Sequence, residues 1–185
     1  MKVNAAVLKE MFAKALIAES SFKRKEFRCT WSADPVYAGH VFELAGKPGS
    51  GKTELMIRFF SENPGLKVAW IEEEFSFYPY FWEQSGLDLK KVCFLESGTH
   101  WSWCARQALN SGIFDCLVLG GGTRDALELR RLQLLAEKSK CPVFLLSNEP
   151  TQAGAWPIQM QFSVQRMFDG SLSVRKLSLK KHSLG

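Results

Sequence analysis

The sequence predicts an α/β fold with a mostly parallel central sheet, helices on its flanks and a C-terminal antiparallel hairpin. Three observations carry that prediction. The stretch Gly46-Lys47-Pro48-Gly49-Ser50-Gly51-Lys52-Thr53 fits the P-loop pattern G-x-x-x-x-G-K-[ST], with a short apolar run before it and a helical pattern after it. Short apolar runs then alternate with helical segments, as β–α units around a parallel sheet require. Near the end, Asp169-Gly170 separates two alternating stretches, which is a hairpin signal.

Each element follows from local pattern. Residues 5–19 place Leu8, Met11, Phe12 and Ala15 at helical spacing, giving one apolar stripe. Residues 20–34 are polar and basic and read as a linker, so a helix and linker over 1–35 precede one domain over 36–185. A strand at 41–45 leads into the P-loop, and the helix after it ends near Asn63-Pro64-Gly65. Strands follow at 67–71, 92–95, 116–119 and 142–146, with helices at 101–111 and 125–138. In the second of these helices Leu129, Leu132 and Leu135/Ala136 share one face, and Arg130, Arg131, Glu137 and Lys138 fall mostly outside it. The hairpin pairs the run at 161–164 with that at 172–179.

Composition narrows the classes. A chain of 185 residues suits one α/β domain, burying about 70% of the unfolded chain's surface. No apolar run approaches the roughly eighteen residues of a membrane span. Lys9, Glu10 and Lys14 interrupt what would have to be a secretory h-region. The five cysteines (Cys29, Cys93, Cys104, Cys116 and Cys141) are odd in number and form no C-x-x-C pair, so they read as reduced thiols of a cytoplasmic protein. His40, His100 and His182 lack zinc-ligand spacing. The net charge of +5 gathers in Lys23-Arg24-Lys25 with Arg28, and in Arg175, Lys176, Lys180 and Lys181. Such clusters suit a phosphate backbone and are equally ordinary as solvated surface.

The P-loop carries the chemistry. Its glycines let successive backbone N–H groups turn around a phosphate, and Lys52 brings a cation to the β/γ oxygens. Thr53 offers a hydroxyl to Mg²⁺, and the following helix points its positive end at the anion. These residues predict a bound nucleotide, ATP or ADP, with Mg²⁺.

The order of elements resembles the ATPase core of RecA-like recombinases, over residues 36–181. Gly39-His40-Val41-Phe42-Glu43-Leu44 is similar to their lead-in strand. Trp70-Ile71-Glu72-Glu73-Glu74 is similar to the segment bearing their catalytic glutamate, and residues 85–92 to the linker into their next strand. Ser147-Asn148-Glu149 falls where that family has a polar nucleotide sensor. Within the group, residues 103–112, residues 129–137 and the compact ending look most like the ImuA/SulA-like branch of bacterial SOS proteins. That branch implies either an accessory of mutagenic translesion synthesis, working beside a recombinase and polymerase components, or a block on the division protein FtsZ.

The resemblance assigns Glu74 to orient the attacking water, with Glu72 and Glu73 as competitors and a solvated acidic turn as the plain alternative. It also exposes gaps. The strand at 116–119 should be followed by an acid for the Mg²⁺ shell, and Gly120 stands there. Asp115 is at the wrong end, roughly 13 Å away at strand rise. Asp125 would have to swing in from the next helix. Glu149 stands where active recombinases present a glutamine, and a carboxylate there repels a γ-phosphate. Nucleotide binding is therefore expected to survive and turnover to be slow or absent.

Single-stranded DNA contact is expected to be weak, because the first DNA loop shrinks to residues 120–123 and the second to 150–157, where Trp156 either stacks on a base or packs over the sheet edge. The aromatic run Phe75, Phe77, Tyr78, Tyr80, Phe81 and Trp82 exceeds what one helix face hides, so part of it is expected at a protein interface. Phe12-Ala13-Lys14-Ala15 has the F-x-x-A form by which recombinases dock on a neighbouring subunit, with packing in its own stripe as the default. Two alternatives stay open. One is a DNA-dependent ATPase with the metal on Thr53 and water. The other is a small P-loop kinase, disfavoured because its Arg-rich lid has no counterpart beyond Arg130-Arg131 in a regular helix.

Overall fold

The computed structural model describes residues 25–75, 79–121, 125–151 and 157–177. The expected helix at 5–19, the F-x-x-A motif, Phe77, Tyr78, Trp156, Lys23, Arg24, Lys180 and Lys181 lie outside them.

Seven strands form one sheet. In chain order the strands are β1 (Glu26–Phe27), β2 (Val36–Tyr37), β3 (Val41–Ala45), β4 (Val68–Glu72), β5 (Val92–Glu96), β6 (Cys116–Gly120), β7 (Val143–Ser147), β8 (Met160–Arg166) and β9 (Leu172–Leu177). The helices are α1 (Lys52–Glu62), α2 (Pro79–Gln84), α3 (Trp101–Asn110) and α4 (Ala126–Ser139). The sheet order is β5-β4-β6-β7-β3-β8-β9, parallel throughout except for the antiparallel β8–β9 pair. Four inner strands, β3, β4, β6 and β7, are buried along their whole length, as runs such as Cys116-Leu-Val-Leu require when both faces are covered. The edge strands β5 and β9 are only half-buried.

Pleating splits the apolar residues into two layers. Phe42, Leu44, Val68, Trp70, Val118 and Phe144 face α1, which contributes Leu55, Met56, Phe59 and Phe60. Val41, Ala69, Ile71, Leu117, Leu119 and Leu145 face α3 and α4, which contribute Trp101, Ala105, Leu129 and Leu132. Asp125 caps α4 by accepting from the Glu128 amide at 2.7 Å, and Lys140 ends it in the left-handed region at φ 55°. The expected α/β architecture, with its mostly parallel sheet and terminal hairpin, is present.

One local expectation fails. The supposed linker is, from Lys25 onward, packed structure, because β1 and β2 pair antiparallel and bury Phe27 and Val36 in the α1-side core. Trp31 stands edge-on to Phe162 at 5.3 Å and donates its indole N–H to the Leu55 carbonyl. Lys176 of β9 pairs with Asp34 at 2.7 Å, which ties the segment between β1 and β2 to the sheet edge. The aromatic run is divided. Trp82 is 1% exposed, edge-on to Trp70 at 4.7 Å, whereas Phe75 is half in solvent. All five thiols are free, and burial pushes those of Cys29 and Cys141 up to about 12 and raises that of Cys116 well above the ordinary thiol value. Among the described residues no helix is long and apolar enough to cross a membrane.

Candidate functional site

A cleft of about 830 Å³ opens at the C-terminal ends of the parallel strands, over the start of α1. That is where open α/β sheets bind ligands. Pro48 to Thr53 form one wall, and Glu72, Glu73, Glu74, Gly120 and Gly121 the facing one. Asn148 and Arg166 close the sides.

The phosphate loop is built from backbone. Gly49 and Gly51 adopt φ values of 79° and 101°, which only glycine takes without strain. Gly51 stands at the N-cap of α1 with no side-chain cap, so the first amides of the helix face the cleft mouth. A Cβ at Gly46 would sit 2.3 Å from the Val164 carbonyl oxygen and 2.7 Å from Ser50 Oγ. Gly46 is thus a packing glycine under the loop, and exposed Lys47 lies outside the cleft wall. Ser50 is buried, and its hydroxyl has no hydrogen-bond partner among the described residues.

Lys52 folds back under the loop. Its Nζ donates to the Gly46 carbonyl, to the Ser147 carbonyl at 2.8 Å and, at longer range, to Asn148 Oδ1 at 3.5 Å. Burial lowers its pKa below the ordinary lysine value, because a half-desolvated ammonium prefers to lose its charge. Asn148 is therefore in touch with the loop lysine, while Glu149 is exposed just past β7.

Two supports around this loop had no signal in the motif. Glu43 of β3 is 1% exposed, yet it accepts from Ser147 Oγ at 2.8 Å, Gln161 Nε2 at 2.6 Å, and both the amide and hydroxyl of Thr151. That network fixes the end of β7, whose Ser147 carbonyl in turn holds Lys52. On the outside, Arg166 of β8 reaches Glu54 at 2.7 Å, across 112 residues. Its hydrogen bond holds the Glu54 carboxyl below the usual range. The only sequence hint for Glu43 was a charge inside an apolar strand, and for Arg166 there was none.

The acidic wall separates three residues that look alike in sequence. Glu72 ends β4 and is 7% exposed, Glu73 is half-buried, and Glu74 is exposed at the cleft. Glu74 thus has the access to solvent that a water-orienting carboxylate needs. Glu72 accepts the Trp70 indole N–H at 2.9 Å. Thr53 lines the cleft opposite, at the first turn of α1. Asp115 is at the far end of β6, bonded to the Lys67 amide, and Asp125 is spent on capping α4. Neither reaches the cleft. Among the described residues no group of three or more His, Cys, Asp or Glu side chains could hold a metal by themselves.

The residues present fit a Mg²⁺-nucleotide. An orphaned hydroxyl, amides at an uncapped helix start and a half-buried lysine suit an anion, and Thr53 offers a hard oxygen donor for the metal. No protein-family model matches this chain, and a search of curated proteins finds no match.

Proposed function

We propose that this chain is a nucleotide-binding protein with a RecA-like P-loop core. In this reading it holds ATP or ADP with Mg²⁺, turns it over slowly or not at all, and acts through protein partners as an accessory in the DNA-damage response. The observation that carries the nucleotide reading is the P-loop itself, which wraps the mouth of the cleft with Lys52 drawn beneath it. The parallel order around β3 and the added β8–β9 hairpin support the RecA-like core. The damage-response role and its partners, recombinase and translesion polymerase components, rest on the ImuA/SulA-like resemblance. Large apolar side chains left in solvent, Phe75 and Trp103, support work through protein contacts.

The chain's own residues divide the work. The loop amides and Lys52 bind the phosphates, Asn148 orients the lysine, and Thr53 supplies an oxygen to the metal. Bound Mg²⁺ would neutralise charge on the β and γ oxygens. Glu74 is the residue available to position water, and Glu149 lies beside the sensor position as a further negative charge.

The test is ATP hydrolysis with Mg²⁺, with and without single-stranded DNA, using Lys52→Ala as the blank. Activity no greater than the blank is expected. DNA-stimulated turnover that Lys52→Ala abolishes would instead make this a recombinase-type motor. Phosphate transfer to nucleoside monophosphates would favour the kinase reading.

A further inference from the structure

We infer that Glu72 is the metal-side carboxylate of the cleft, supplied from β4 in place of the acid missing after β6. The inference rests on the nucleotide reading above and deepens it. Parallel pairing of β4 with β6 sets Ile71 beside Leu119, which brings Glu72 level with Gly120 on the neighbouring strand. Trp70 and Val118 face α1, so by alternation Glu72 and Gly120 face it too.

The glycine and the glutamate occupy one space. A Cβ added at Gly120 would lie 2.8 Å from Glu72 Cγ, 3.2 Å from its Cδ and 3.0 Å from its Oε1. An aspartate's carboxylate oxygens sit about 2.4 Å from its own Cβ by ordinary bond lengths. The Glu72 side chain therefore lies within reach of any side chain at position 120, and an acid there would compete with it for the same space. The absence of a side chain at Gly120 is what lets Glu72 in.

The carboxylate is also aimed. The Trp70 indole holds Oε1, and Trp70 is itself fully buried and braced by Trp82. Only 7% exposed, Glu72 lines the cleft in which a nucleotide's cation would sit. The wall it lines faces Thr53 and Lys52, where a nucleotide's phosphates bring one. The ligand would be a hard divalent cation, Mg²⁺, and the residues that would hold it beside the phosphates are Thr53 and Glu72.

The experiment measures the affinity of a fluorescent ADP with Mg²⁺ and with EDTA, on the full chain and on variants whose folding is checked by thermal melts. Wild type is expected to bind more tightly with Mg²⁺. Glu72→Gln should keep the Mg²⁺-free affinity and lose the Mg²⁺-dependent gain by about 10-fold or more. Glu96→Gln, on β5 level with Glu72 but exposed, should keep the gain. The double variant Glu72→Ala/Gly120→Asp, which returns an acid to β6, should recover it, and this arm decides the matter if Glu72→Gln folds poorly. A full Mg²⁺ gain in Glu72→Gln, no recovery in the double variant, or wild-type binding indifferent to Mg²⁺ would overturn the assignment of Glu72 alone. No nucleotide binding under either condition would overturn the nucleotide reading and this assignment with it.

Discussion

At the end of β3 the chain keeps every residue type that a phosphate loop needs. At the end of β6, one strand removed in the same sheet, a glycine stands where an acid is expected. The two ends differ in how their function is encoded. The phosphate side is a run of consecutive residues, because neighbouring amides must turn around one anion. The metal side is a point in space, and any strand that reaches the point can furnish it. On the proposed assignment of Glu72, a motif that looks broken along the chain keeps its chemistry across the sheet.

The largest expected effect lies on the phosphate side. Glu43→Ala removes the acceptor of several buried donors, Ser147, Thr151 and Gln161 among them, and should cost about 3 kcal/mol of stability in a denaturant melt. It should also weaken nucleotide binding, since the Ser147 carbonyl that holds Lys52 loses its anchor. A loss below about 1 kcal/mol would mean that the network is idle.

Next comes the metal side. Gly120→Ala forces a methyl against Glu72 and should cost about 1–3 kcal/mol. In a Glu72→Ala background the same substitution should cost far less, a non-additivity that a double-mutant cycle of melts reads directly. Equal costs in both backgrounds would separate the two positions.

A smaller effect concerns pH. Lys52 has a lowered pKa before ligand binds and a bound phosphate raises it, so binding takes up a proton at pH values between the two. Affinity should therefore fall as pH rises through the lowered pKa of the free protein, short of the ordinary lysine value of about 10.4. Titrations in buffers of different ionisation enthalpy would record that uptake.

The smallest belongs to Arg166→Ala. Its pair with Glu54 is partly exposed on both sides, so stability should change by about 0.5 kcal/mol or less and fade with salt.

The inner strands were legible because each is an apolar run covered on both faces, and the hairpin because Asp169-Gly170 marks its turn. The P-loop was legible for the same reason of contiguity. Residues 25–38 were not. Of their core residues, Phe27 stands alone in a polar stretch and Val36 and Ala38 flank a single tyrosine, and two-residue strands carry no period. Glu72, Glu73 and Glu74 read as one acidic run, and only the pleat that buries Trp70 tells them apart. Glu43 and Arg166 act through partners more than 100 residues away, which no window along the chain captures.

The most direct measurement is the equilibrium binding of fluorescent ATP with Mg²⁺ to wild type and to Lys52→Ala. Saturable binding to wild type, weakened by about 10-fold or more in a Lys52→Ala variant that melts normally, is the predicted result. Equal binding to both proteins, or none to wild type, would contradict a nucleotide site at this loop.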